Sequence, residues 1–350
     1  MLGAYRSTGA DPPFGDPVRP HGVAMEGWFW RFTQPATGEV VVVLAGVNRA
    51  ADGRPWGTVG MAGHPGGFST AAAVPGASAA GDGSLRIGAA LRAGGGTLAL
   101  DLGPDARLEA SVEPLRPWPR WKAFGGIGPA HALPGLSQYW HPWLLAGRAR
   151  GQAVVGGRSV DLDGALVYGE KNWSNRGFPE RWWWGQSHAF TADPEACVAF
   201  AGGTAGVGPL RMEATALVVS AAGLLVRLVR AGPVGSTLEV SVGDGGWRLA
   251  GRTRDGVAVV VEGEANGTRP HLLPIPVPAE GRHEPDAAAQ HLAGELRLSL
   301  RRGRRLLYSD SSPLAGLEQG AAPDPDRLSR FQRGGRPWPA PRRRSAAPTG

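Results

Sequence analysis

Turn residues recur along this chain about every ten residues, and the segments between them alternate apolar and polar side chains with a period of two. Such spacing suits short strands and is hostile to helices, whose 3.6-residue periodicity is weak almost everywhere. The chain carries 55 Gly and 31 Pro among 350 residues, a share that approaches low-complexity sequence. Its 13 Trp argue the other way, because disordered segments are poor in aromatics. An all-β protein of barrels or sandwiches with many turns satisfies both observations.

In the first half, strands are expected at 23–32, 39–47, 84–91, 97–101, 107–112, 144–155, 158–162 and 165–168. Pro35 to Gly38 turns the first pair, and Gly156-Gly157 turns a later one. In the second half they are expected at 182–190, 196–202, 212–219, 223–230, 238–242, 246–252, 256–263 and 294–301. Two stretches break the rhythm. Residues 118–139 are irregular and rich in Gly, Pro and aromatics, and 169–181 reads as a polar, aromatic loop. Connections of such length are uncommon unless they serve function.

Charge points away from nucleic acid. The basic side chains are almost all Arg, with Lys only at 122 and 171. Residues 321–350 hold seven Arg and two Asp, so this Pro/Arg-rich and expectedly disordered tail supplies most of the formal +7. Such a tail suits contact with anionic lipid. Cys197 is the single cysteine, which rules out an internal disulfide. No charged segment leads into an apolar run, and no stretch of about eighteen apolar residues exists. The expectation is a cytoplasmic protein that can touch a membrane surface.

One segment is more specific than the rest: Tyr168-Gly169-Glu170-Lys171-Asn172-Trp173, then Gly177-Phe178-Pro179, then Arg181-Trp182-Trp183-Trp184-Gly185-Gln186. It resembles the signature of the tocopherol cyclase-like family. Met25-Glu26-Gly27-Trp28-Phe29-Trp30-Arg31-Phe32 resembles that family's opening, and Leu314-Ala315-Gly316-Leu317-Glu318 its closing segment. Departures are Ser174-Asn175, where a Gly is expected, Ser187-His188 after Gln186, and the loop at 130–143. The resemblance implies two lipocalin-like lobes related to the carotenoid hydratases. These are expected at 21–175 and 176–320, between an extended segment at 1–20 and the tail at 321–350. It also implies closure of a chromanol ring, by addition of a phenol oxygen across a prenyl double bond. The ligand is then a hydrophobic prenylated aromatic molecule, and no cofactor or metal is needed.

That chemistry asks for a carboxylic acid held protonated by desolvation, a surface that steadies a tertiary cation, and a base. Glu170, between aromatics, is the first candidate donor. Alternation would turn it away from Lys171, which would otherwise favour the carboxylate. The plainer alternative makes Glu170 half of an ion pair that ties the lobes together. Glu26, in an aromatic strand, is either a second acid or base or half of a buried salt bridge. Asp163, beside a turn at Gly164, is a third candidate, with turn chemistry as its plainer role. Trp28, Trp30, Trp173, Trp182 and Trp184 offer aromatic faces for a cation or for the core. In the triplet, Trp182 and Trp184 share one face and Trp183 takes the other. Tyr139 and His141 are candidates to orient a quinol hydroxyl. Tyr168, Lys171, Asn172 and Gln186 complete the expected substrate-binding set. Two readings stand beside cyclisation: a lipocalin-like carrier of an apolar ligand, and a hydratase of isoprenoid double bonds.

Overall fold

At Gly156 and Gly157 the backbone φ values are 59° and 75°. Two consecutive left-handed residues form the tight hairpin that matches strand twist, and the chain reverses there with Val155 opposite Arg158. Reversals of this kind fold the chain into two antiparallel sheets. The computed structural model describes residues 17–322 apart from 120, 123, 134, 135, 208, 209, 232, 233, 236 and 244. The expected N-terminal segment therefore falls mostly outside the described residues, and the Arg-rich tail almost wholly so.

The first sheet contains β1 (Met25–Gln34), β2 (Glu39–Arg49), β3 (Pro55–His64), β4 (Phe68–Pro75), β5 (Ala77–Ala79) and β6 (Leu85–Ile87). It continues with β7 (Leu91–Gly94), β8 (Thr97–Asp101), β9 (Ala106–Pro117), β10 (Tyr139–Val155), β11 (Arg158–Asp161) and β12 (Leu166–Ser174). The second contains β13 (Arg181–Ser187), β14 (Cys197–Val207), β15 (Leu210–Ala221), β16 (Leu224–Ala231), β17 (Val234–Gly235) and β18 (Thr237–Gly243). It ends with β19 (Gly246–Arg252), β20 (Val257–Glu264), β21 (His271–Val277), β22 (Arg282–Arg302) and β23 (Arg305–Ala321).

Each sheet is close to a closed, lipocalin-like barrel. In the first, β1 pairs with β12, and the path ends at β4 and β5, which only Gly76 separates in the chain. In the second, β13 pairs with β23, and the path ends at β17 and β18. Closing a sheet removes the unpaired edges that invite aggregation. Among the described residues, helix is limited to 3₁₀ turns at Gly128–Ala132 and Pro278–Glu280, and none is long and apolar enough to cross a membrane.

Three large apolar cores follow from this arrangement, beside a small cluster of Val23, Tyr139 and Trp173. One fills the first barrel, with Trp30, Val43 and Leu144, and one fills the second, with Trp183, Phe200 and Leu249. The third lies between the barrels and joins Phe29, Val40, Val42, Trp140 and Tyr168 to Trp182, Trp184, Val218 and Leu314. Strands at that contact are buried on both faces, which is why Val40 to Val43 reads as a continuous apolar run. Polar pins cross the same contact. The Arg31 guanidinium donates to the carbonyls of Leu292 and Leu314, each at 2.7 Å. His188 Nε2 and Thr33 Oγ1 share a hydrogen bond of 2.7 Å.

Several expectations need correction. The segment from Gly169 to Ser174 is not loop but the second half of β12, so the bridge between sheets is only 175–180. The strand β3 was not expected, because Gly57, Gly60 and Gly63 interrupt its pattern. They are there for contact: a Cβ on Gly57 would strike Ile87, and one on Gly63 would strike Val155. The strands β4, β21 and β23 and the first half of β22 were likewise unread.

Candidate functional site

The signature strand β12 runs between β1 and β10 and presents its two faces to different cores. Lys171 and Trp173 turn into the first barrel. Glu170 and Asn172 turn toward the second sheet, where they line a cavity with Phe29, Trp140, Trp182, Trp184 and Glu318. The cavity encloses about 900 Å³, including its open mouth. Its walls are mainly aromatic and aliphatic, so a carboxyl group there is conspicuous.

Glu170 is 5% exposed. Its Oε2 accepts three hydrogen bonds: from the Tyr168 hydroxyl at 2.6 Å, the Trp140 indole at 2.8 Å and the Trp184 indole at 2.9 Å. Among the described residues Oε1 takes none and no cation pairs with the group. Burial raises its pKa to about 7, against the three donors, which favour the carboxylate, and with a contribution from the nearby Glu318 charge. The result is an acid protonated up to neutral pH, with one oxygen free to carry the proton.

One strand away, Glu26 has the opposite surroundings. Burial alone would raise its pKa, but hydrogen bonding from His21 and Lys171 and the Lys171 charge bring it down to about 2. Lys171 Nζ lies 2.9 Å from Glu26 Oε2, and the backbone N–H groups of His21 and Gly22 donate to the two oxygens at 3.0 and 2.8 Å. The ammonium also sits 4.9 Å from the Trp28 ring and 5.1 Å from the Trp173 ring. This is a buried, fully engaged ion pair, and neither partner reaches the cavity.

The remaining sequence candidates divide. Trp28, Tyr168, Asn172, Trp182 and Trp184 join Glu170 at the cavity or on its hydrogen bonds. Trp30 packs edge-on against Trp143 inside the first barrel. Trp173 lies in a stack with His21, His131 and Tyr139. The Tyr139 hydroxyl donates to Leu133 O at 2.8 Å, and His141 lies against Trp118, its pKa pushed by burial to about 3. Gln186 is buried with its amide 3.9 Å from Cys197 Sγ. Asp163 is exposed, and its Oδ1 accepts the Gly151 N–H, so it holds a turn far from any apolar cavity. The expected roles of Trp30, Tyr139, His141, Lys171, Trp173, Gln186, Glu26 and Asp163 at the ligand are thus not supported by their positions.

Three residues at the cavity were overlooked: Trp140, Glu318 and Gln290. The first could have been found by alternation, because Trp140 lies between Tyr139 and His141 and must face the other way. Glu318 reaches the site because β23 pairs with β13, which sets it directly opposite Trp184. Its Oε1 accepts from the Trp182 indole at 2.6 Å and its Oε2 from Gln290 Nε2 at 2.7 Å.

A second compartment of about 870 Å³ opens beside the first and shares Gln138, Trp140, Pro179 and Ala201 with it. Ile127, Leu133, Leu136, Met212 and Val229 make it almost wholly apolar. A molecule with a polar head and an apolar chain would span the two.

Comparison with known proteins places this site in a family. The profile of the tocopherol cyclase-like family matches residues 89–321. A probable chloroplastic tocopherol cyclase of Oryza sativa subsp. japonica is 26% identical over 230 residues, which cover 62% of this chain and 47% of that protein. The chloroplastic tocopherol cyclase of Zea mays is 31% identical over 106 residues, 29% of this chain and 22% of that one. The chain thus spans about half the length, or less, of these curated relatives. Among solved structures, kievitone hydratase from Nectria haematococca is similar with a TM-score of 0.50 at 12% identity, over 87% of this chain and 90% of that one. A putative AttH from Nitrosomonas europaea is similar with a TM-score of 0.51 at 10% identity, over 86% and 93%. At such identities the likeness is one of fold alone. With its signature strand placed at the wall of a buried acid cavity, this chain belongs to the tocopherol cyclase-like family.

Proposed function

We propose that the protein is an enzyme that adds an O–H group across an isoprenoid double bond, and that its reaction is closure of a chromanol ring on a prenylated quinol. Glu170 is the proton donor. Its Oε1 protonates the alkene, a tertiary cation forms, and the phenol oxygen attacks that carbon. One C–H and one C–O bond replace the π bond and the O–H bond, with no redox change. The quinol head occupies the Glu170 cavity and the chain follows the apolar compartment that joins it at Trp140. The indoles beside Glu170 exclude water and offer aromatic faces to the cation, an attraction on the order of 2 kcal/mol in a dry site.

The observation that carries this reading is the carboxyl group itself. A carrier of apolar molecules needs only apolar lining, whereas a buried carboxyl whose hydrogen bonds all fall on one oxygen is suited to giving up a proton from the other. Incubation of the purified chain with a panel of prenylated quinols tests it. Cyclisation leaves mass unchanged and shifts retention, hydration adds one water, and a carrier returns its ligand unaltered. The Glu170→Gln variant should melt no lower than the parent near neutral pH and lose turnover by about 100-fold or more, the usual scale for a general acid. Near-parent turnover in that variant would remove Glu170 from the mechanism.

A further inference from the structure

We propose that Glu318 is the base of the same reaction: the carboxylate that takes the proton from the attacking O–H. The proposal rests on the reading of Glu170 as donor.

The two carboxyl groups share one cavity and one aromatic face. Trp184 donates to Glu170, and Trp182, two residues away on the same side of β13, donates to Glu318. Both groups only accept hydrogen bonds, but the donors are distributed differently over their oxygens. Both oxygens of Glu318 face donors, an indole N–H and an amide N–H. Protonating Glu318 would turn one of these acceptors into a weaker hydroxyl oxygen, whereas a carboxylate accepts from both donors at full strength. Glu170 gathers its three donors on one oxygen and leaves the other bare, which suits the acid. Glu318 is not a structural ion-pair partner either, since among the described residues no Lys, Arg or His lies within ion-pair reach of it. It is half-buried at the cavity wall, where a ligand can touch it.

Burial pushes the Glu318 carboxyl up as well, opposed by its Trp182 and Gln290 donors. Two like charges in one apolar cavity repel, so the favoured state holds one proton between them, and the donors on both oxygens of Glu318 leave that proton to Glu170. The catalytic cycle then balances. Glu170 gives its proton to the alkene carbon and becomes a carboxylate, while Glu318 takes the phenol proton and becomes the acid. Product departure opens the cavity to solvent, which resets the pair. The same carboxylate would serve whether the nucleophile is a phenol or a water molecule, so the role depends on the O–H addition and not on the ring closed.

The test follows turnover with a series of prenylated quinols whose ring substituents make the phenol more or less acidic. It is read in whichever of Glu318→Gln and Glu318→Asp keeps the parent melting temperature. Glu318→Gln should lose turnover by about 100-fold, and the loss should shrink as the phenol becomes more acidic, because an acidic phenol needs less help from a base. Glu318→Asp should lose less and show the same trend. Binding of the chromanol product should survive in both. A loss that is uniform across the series, or near-parent turnover, would overturn the assignment. Glu170→Gln run in parallel separates the two claims: if it too keeps full turnover the donor reading fails, and if it alone is inactive only the Glu318 role is lost.

Discussion

Glu26 and Glu170 are buried glutamates on neighbouring strands, 3% and 5% exposed, yet their acidities are displaced by similar amounts in opposite directions. The difference is a single turn of the strand. Glu26 shares a face with Lys171, and Glu170, next to Lys171 in the chain, is turned to the other face and meets only neutral donors. A signature that sets an acid beside a base along the chain thereby separates them in space. One carboxylate is fixed as an anion for structure, and one is kept as a neutral acid. The lesson is that the charge state of a buried glutamate is set by the face it occupies more than by its neighbours in sequence.

The strongest way to break this comparison is to remove the cation. Lys171→Met leaves the buried Glu26 without its lysine, held only by His21 and Gly22, and should cost about 3–5 kcal/mol in denaturant unfolding. Adding Glu26→Gln to that variant should recover part of the loss, because both charges are then gone. A loss below about 1 kcal/mol would mean that the pair does not hold the fold.

Stability against pH sharpens it next. Glu170 has a folded pKa above its ordinary 4.5, so its ionisation destabilises the fold as pH rises from 4.5 through about 7. Against the parent, Glu170→Gln should therefore gain stability with rising pH, to on the order of 3 kcal/mol above pH 7, and gain nothing near pH 4.5. Glu26 has a folded pKa of about 2, so its contribution is present above 4.5 and fades as pH falls toward 2. The gap between the parent and the doubly neutral Glu26→Gln, Lys171→Met protein should narrow over that lower window. Melting curves of both variants across pH check the two slopes.

The rate should follow the same acid. Turnover is expected to fall by about tenfold per pH unit above about 7, as Glu170 loses its proton. The smallest effect tunes that limb. Trp140→Phe removes one donor to Glu170 Oε2, and donors favour the charged form. The alkaline limb should move up by about one pH unit, the scale of one hydrogen bond to a charged group. A downward move would show that Trp140 does not act on the carboxylate.

Much of this was legible in residue order. Alternation separates Glu170 from Lys171 and sets Trp182 with Trp184 apart from Trp183, and the structure has both arrangements. The turn spacing foretells the all-β fold. What remained hidden has physical causes. Alternation along β10 turns Trp140 away from Tyr139 and His141, but which of the two faces meets the cavity depends on the barrel contact and not on local pattern. Strands buried on both faces lose the polar half of the pattern, and β3 hides behind glycines that exist to admit Ile87 and Val155. Glu318 enters only through the pairing of β23 with β13, a long-range contact that no local pattern signals.

The guanidinium of Arg31 has a consequence for traffic. It lies wholly inside the contact between the barrels and grips two carbonyls of the far side, with the His188–Thr33 link close by in the chain. Prising the barrels apart would strip those partners and bring apolar surface into water on both sides. The barrels are thus pinned to each other, and on the function proposed above the substrate would enter past the rim of the second compartment. There, Leu133 and Met212 are among the few large apolar side chains left exposed. On the function proposed above, these two side chains would be the first that the oily chain of a prenylated quinol meets.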